Sequence, residues 1–262
     1  MFFDLIYVII LGIIEGITEW MPISSTAHLV IISKLLSSPF NSDFDKMFDV
    51  VIQFGAILAV IILYFKELWP FERNKFNKEN INTWKLILIS MIPIVILGFI
   101  FDDFVSRMFY NSLTIGIAMI FYGILFIILE KNQKKKSNEI TPKNALAIGF
   151  IQLLAIIPGT SRSGVTIIGS TLLGIEKSKG VKYSFFLSVP IMFGASVLKM
   201  SKYLLSYSIS FNEVILLLIG VLVAMLVSLL VLKLFMKFIN KYTFKVFGIY
   251  RILLGILILF FV

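Results

Sequence analysis

Residues 12–25 read GIIEGITEWMPISS, and residues 149–162 read GFIQLLAIIPGTSR. Each string opens on a glycine, carries a polar residue three positions later (Glu15, Gln152), runs on to a proline (Pro22, Pro158) and ends among hydroxyl residues. The second string has one residue fewer before its proline. A further echo, Phe54-Gly55-Ala56 against Phe193-Gly194-Ala195, lies at an offset of 139 residues, close to the 137 that separate the first pair. Two matches at nearly one spacing mark an internal repeat.

The repeat is embedded in a chain suited to lipid. Of 262 residues, 59% are hydrophobic and 15% charged, with a mean hydropathy of +0.98; an ordinary soluble domain has about 25% charged residues. Apolar stretches near the ~20 residues needed to cross a hydrocarbon core recur from end to end. They fall near 47–65, 83–101 and 110–130, then near 182–200, 213–232 and 246–262. The motif-bearing stretches are different. About ten apolar residues precede Glu15, about fourteen precede Pro158, and another short helical stretch follows each. Too short to cross, and interrupted by proline and serine, each reads as a re-entrant helical hairpin. Three spans per half then force the halves into opposite orientations, so that the broken helices meet near the midplane. The expected fold is an all-α polytopic membrane protein with an inverted-topology repeat, six transmembrane helices and two re-entrant helical hairpins. One integral-membrane domain covers 1–262, with repeat one at about 1–133 and repeat two at about 141–262. The opening stretch carries two glutamates and no basic leader, so it is expected to stay in the protein rather than be removed as a signal peptide.

Loop charge tests this topology. One alternate set of loops holds Lys66, Arg73, Lys75, Lys78, Lys85, Lys131, Lys134 to Lys136, Lys143, Lys177, Lys179, Lys182, Lys233, Lys237, Lys241 and Lys245, seventeen basic residues. The other holds five: Lys34, Lys46, Arg107, Lys199 and Lys202. The richer set is cytoplasmic by the positive-inside rule, so the first hairpin enters from the outer face and the second from the cytoplasm. Topology also accounts for the net charge of +9 without invoking a nucleic acid. With no cysteine and one histidine, thiolate chemistry, disulfides and multi-histidine metal centres are excluded.

The chemistry that remains is concentrated in the two motifs. Glu15 and Glu19, four apart, share a helix face, and two acids in lipid call for a site or a cation unless a shallow hairpin leaves them in headgroup water. The run from Pro22 through Ser24, Ser25 and Thr26 to His28 has the marks of a helix start, whose free N–H groups attract phosphate. Ser25 and His28 are three apart, a spacing that allows a hydroxyl nucleophile with an imidazole base, although capping and an interfacial histidine explain the same residues. The second motif joins Thr160, Ser161 and Ser163 to a lone Arg162. An arginine there needs an anion: a phosphate, one of the two glutamates, or the cytoplasmic headgroups. Arg251, near the start of the last span, is expected to snorkel; Asp49 and Gln53 share a face that suits a cavity wall; Lys134 to Lys136 form a solvated, orientation-setting run.

Taken together, Glu15-x-x-x-Glu19 with the Pro22 to His28 run, and Pro158-Gly159-x-Ser161-Arg162-Ser163-x-x-Thr166, resemble the bacterial undecaprenyl-diphosphate phosphatases of the bacitracin-resistance type. The resemblance covers the whole chain and includes the segment from Gln53 to Ala56; Ala27 stands where the family usually has glycine. It implies hydrolysis of undecaprenyl diphosphate to undecaprenyl phosphate and inorganic phosphate, recycling of the cell-wall lipid carrier, bacitracin resistance, a Mg²⁺ or Ca²⁺ cofactor and an active site open to the outer face of the bacterial plasma membrane. It implies catalytic roles for Ser25, His28, Glu19, Glu15 and Arg162, with Glu15 and Glu19 also the metal ligands. Ser24, Thr26, Thr160, Ser161, Ser163 and Gln152 would contact substrate. Whether Ser25, His28 or a water attacks stays open, and a homodimer is compatible with the sequence. The rival reading is a transporter or flippase for a polyprenyl phosphate or another anion, since inverted repeats with broken helices serve carriers equally well.

Overall fold

In the computed structural model, which describes residues 2–72, 75–131 and 139–261, the described residues form helices joined by turns, with one small hairpin in which β1 (Phe71–Glu72) pairs with β2 (Lys75–Phe76). Arg73 and Lys134 to Lys136 lie outside the described residues. Helix α1 (Phe2–Thr18) runs straight through Glu15 and stops just before Trp20-Met21-Pro22, so the acid sits inside a helix, not at its end. Helix α2 (Ser25–Leu36) follows, capped by the Ser24 hydroxyl. Helices α3 (Ser42–Val51) and α4 (Gln53–Leu63) join at Ile52 into one 22-residue apolar span. A short turn, α5 (Phe65–Leu68), leads to α6 (Lys78–Phe109) and α7 (Ser112–Lys131). The second half runs through α8 (Pro142–Gln152) and a 3₁₀ turn (Leu153–Ile156), then α9 (Arg162–Leu172), α10 (Lys177–Ser206), α11 (Phe211–Ile239) and α12 (Lys245–Phe261).

Five of these segments are long and apolar enough to cross a membrane: Ser42–Leu63, Lys78–Gly98, Ser112–Glu130, Lys177–Ser206 and Phe211–Ile239. The sixth expected span falls on α12, whose 17 residues reach about 25 Å at the helical rise, short of a core of roughly 30 Å.

Packing pairs the halves in a reciprocal way. α1 lies against α11, and α8 lies against α6. In each pair a glycine removes the side chain at the crossing: a Cβ on Gly12 would stand 2.9 Å from the Gly220 carbonyl oxygen, and one on Gly149 would collide with the Ser90 carbonyl. In each pair a serine of the longer helix also donates to a carbonyl of the shorter one, Ser228 to Gly16 O (3.3 Å) and Ser90 to Ala145 O (2.6 Å). α7 and α12 pack antiparallel along four glycines. A Cβ on Gly123 or on Gly248 would lie 2.7 Å from the other's carbonyl oxygen, and the same reciprocity links Gly116 and Gly255. Such small-residue seams let helix backbones approach where lipid provides no hydrophobic drive between helices. Phe54 of α4 and Phe193 of α10, the leading residues of the two Phe-Gly-Ala echoes, meet ring to ring at 6.1 Å.

Candidate active site

The two motifs meet. The breaks after α1 and after α8 bring the N-termini of α2 and α9 to one cavity of about 480 Å³, lined by Glu19, Ser24, Ser25, Thr26, Gln53, Gln152, Pro158, Gly159, Ser161 and Arg162. Its opposite wall is apolar, built from Met91, Ile94 and Val95 of α6 and from Pro190 and Ile191 of α10. The caps of the two helices are alike. Ser24 (φ 69°) and Ser161 (φ 75°) hold positive φ without being glycine, and the side-chain oxygen of each accepts an N–H of the first turn, Ala27 N at 3.4 Å and Gly164 N at 3.1 Å. Non-glycine residues in this region store about 1–3 kcal/mol of strain and cluster at functional sites.

Glu19 is the centre of the polar wall. Its Oε1 accepts from Arg162 Nη2 at 2.7 Å, and its Oε2 accepts from the Ser25 hydroxyl at 2.8 Å. One carboxylate thus joins the serine of the first motif to the arginine of the second. Arg162 Nη1 donates to Ser184 O (2.7 Å), while Nε, buried, has no partner. Ser184 Oγ in turn shares a 2.6 Å hydrogen bond with Thr166, which donates back to Arg162 O. Ser184, a buried polar residue in an otherwise apolar stretch of α10, escaped the sequence reading.

The hydrogen bond that the spacing of Ser25 and His28 allows is not formed. His28 Nδ1 donates to Ser24 O at 2.7 Å, which leaves Nε2 of the neutral ring to accept the Tyr250 hydroxyl at 2.7 Å. His28 does not line the cavity. The imidazole is drawn back to the Ser24 carbonyl and across to Tyr250, and a carboxylate takes the place expected for it. Nor does Thr160 face the cavity: it is buried, with its hydroxyl unpartnered. Ser163 is also turned inward, donating to Glu19 O (3.0 Å) and Met21 O (3.2 Å), so that it ties the two motifs together. Gln152 reaches the cavity with both its side-chain amide atoms unpartnered.

The largest departure is Arg251. It is fully buried rather than snorkelling; Nη1 donates to Pro22 O (3.0 Å), and Nη2 to Gly159 O (2.8 Å) and Thr160 O (3.0 Å). The guanidinium finds backbone carbonyls exposed by the two helix breaks, which offer it more than a headgroup reached along the helix. Asp49 and Gln53 do face a cavity, a second one of about 390 Å³ that they share with Thr26, Lys46, Tyr110 and Lys199.

A divalent cation can be tested against these residues. Among the described residues no cluster of three or more His, Asp or Glu side chains is poised to ligate one. Glu15, however, is fully buried with both carboxylate oxygens unpartnered, one helical turn from Glu19. One or two carboxylates completed by phosphate oxygens is the usual donor set for Mg²⁺; Glu19 faces the cavity and supplies one, while Glu15 lies behind it and does not line the cavity.

The fold and the site together define a polytopic helical membrane protein with a buried Ser–Glu–Arg constellation assembled from both halves of the chain. A family model described as bacitracin resistance protein BacA matches residues 8–257, and the chain belongs to that family. It is 44% identical to undecaprenyl-diphosphatase 1 of Oenococcus oeni over 269 residues, covering 99% of this chain and 97% of the relative. It is 45% identical to the undecaprenyl-diphosphatase of Enterococcus faecalis (99% and 98% covered) and 46% identical to that of Lachnoclostridium phytofermentans (98% and 96% covered).

Proposed function

We propose that this chain hydrolyses undecaprenyl diphosphate to undecaprenyl phosphate and inorganic phosphate at the cavity shared by the two motifs. The observation that carries the reading is the Ser25–Glu19–Arg162 chain of hydrogen bonds. A carrier needs an arginine for its anion but has no use for a serine hydroxyl aimed at a carboxylate. The relatives' names point to the same reaction.

In this reading the terminal phosphate lies between the N-termini of α2 and α9, where two sets of first-turn N–H groups converge. Ser25 Oγ attacks the terminal phosphorus in line with the bridging oxygen, and Glu19 Oε2 takes the hydroxyl proton. The phosphorus–bridging-oxygen bond breaks, and undecaprenyl phosphate leaves with its electron pair. Water then frees the phosphate from Ser25. Arg162, which lines the cavity, holds oxygens of the transferring group. Glu19, with Glu15 one helical turn behind it, would hold the Mg²⁺ or Ca²⁺, which would supply charge neutralisation at the diphosphate. Gln152, Ser24, Thr26 and Ser161 supply further polar contacts around the phosphates. The prenyl tail lies along the apolar wall at Met91, Ile94 and Val95, where α6 faces lipid.

We read the architecture as an inverted repeat. The reciprocal packing of α1 on α11 and α8 on α6, and the glycine seam that α7 and α12 share, support it. With the loop charges, it opens the site to the outer face of the bacterial plasma membrane. Removal of the terminal phosphate there returns the lipid carrier to cell-wall synthesis and depletes the form that bacitracin captures.

The test is phosphate release from undecaprenyl or farnesyl diphosphate by the purified protein in detergent with Mg²⁺ or Ca²⁺. Steady release supports the enzyme. No release with either cation, together with anion uptake by reconstituted vesicles, would establish the carrier instead.

A further inference from the structure

Tyr250 and Arg251 are consecutive on α12, yet their side chains reach both broken motifs. Arg251 holds three carbonyls, those of Pro22, Gly159 and Thr160. Two of them flank the left-handed backbone of the second motif, where Gly159 has φ 85° and Ser161 φ 75°. Tyr250 holds His28 Nε2, and His28 Nδ1 holds the carbonyl of Ser24, the strained cap of the first motif. Each strained segment is therefore tethered to α12. The residue after Ser24 is Ser25, whose hydroxyl direction toward Glu19 depends on how that cap is held.

We infer that His28 is a positioning residue rather than the proton-transfer partner of Ser25, and that Tyr250 acts through it, with Arg251 doing the same for the second motif. Both ring nitrogens of His28 are engaged, neither by Ser25, and Ser25 already has a carboxylate for its proton. A base would need a free lone pair aimed at the hydroxyl. What His28 supplies is an N–H for Ser24 O, fixed in direction by the Tyr250 hydroxyl at its far side. The inference rests on the reading of Ser25 as the attacking group.

The experiment measures kcat for phosphate release by monodisperse protein, wild type against His28→Ala, His28→Asn, Tyr250→Phe and the double variant His28→Ala/Tyr250→Phe. An asparagine amide N–H can reproduce the Nδ1 donor but has no imidazole lone pair. His28→Asn is expected to keep activity within about tenfold of wild type, while His28→Ala loses about 10²-fold through misplacement of the hydroxyl. Tyr250→Phe, which deletes one hydrogen bond, is expected to lose about fivefold to tenfold, and the double variant to be no slower than His28→Ala alone, because Tyr250 has no other route to the site. His28→Asn as inactive as His28→Ala, or additive losses in the double variant, overturn the inference. Should the alanine variant not fold, a wild-type rate in Tyr250→Phe overturns it alone. A wild type that releases no phosphate brings down the functional reading first, and this one with it.

Discussion

Glu19 is a carboxylate with two obligations, and its surroundings decide which matters for chemistry. Arg162 pairs with it at 2.7 Å within a largely buried site, and the Ser25 hydroxyl donates to it at 2.8 Å. Removing one partner from such a pair leaves an uncompensated charge, at a cost of about 3–5 kcal/mol. Arg162→Ala is therefore expected to abolish phosphate release and also to lower the thermal unfolding midpoint in detergent; a wild-type rate would remove Arg162 from the site. Ser25→Ala deletes only a hydroxyl, so the protein should insert and unfold as wild type does while its rate falls to below about a thousandth; a retained rate would shift the attack to water. Ser24, at φ 69°, gives a backbone prediction. Ser24→Val should lower the unfolding midpoint because a β-branched side chain is excluded from positive φ, whereas Ser24→Gly should not. The sequence exposed Glu19, Ser25 and Arg162 as candidates because each is costly or reactive in lipid. It could not expose Tyr250, 222 residues from His28 in the chain, or correct the expectation for Arg251, because only packing sets those neighbours.

At the level of the helices, the motifs function because each chain break leaves carbonyls and N–H groups that something must satisfy. Serines at positions 24 and 161 take up the N–H groups, while His28 and Arg251 take up the carbonyls. The helix breaks were legible from Pro22, Pro158 and the serines after them, and the long apolar stretches from composition. The length of α1 was not, because a glutamate suits a helix interior as well as a helix end and only burial distinguishes the two cases. The α7–α12 seam has its own test. Gly248→Leu would put a side chain where the Gly123 carbonyl lies 2.7 Å from the first added atom. Overpacking of this kind costs about 1–3 kcal/mol. A lower unfolding midpoint is expected, with activity lost in step because α12 carries Tyr250 and Arg251; an unchanged midpoint and rate would mean that the seam does not hold α12 in place.

Across the whole molecule, the halves are each incomplete. The first contributes Glu15, Glu19 and Ser25; the second contributes Arg162 and Gln152; the ion pair that completes the site joins residues 143 apart. The natural absence of cysteine makes the proposed orientation testable with single introduced thiols. Ser38→Cys and Ser208→Cys should react with a membrane-impermeant maleimide added outside intact cells, and Asn240→Cys only after lysis; the reverse pattern would invert the topology. The proposed chemistry is more local than topology: a carboxylate from one half, held by an arginine from the other, would activate the serine beside it. It is tested most directly by the phosphate-release rate of Glu19→Gln against wild type on a polyprenyl diphosphate in detergent. Glutamine preserves the shape and can still accept a hydrogen bond, but it can neither take the Ser25 proton nor balance the arginine's charge. A fall of about 10²–10⁴-fold in properly folded protein is predicted; an unchanged rate would contradict it.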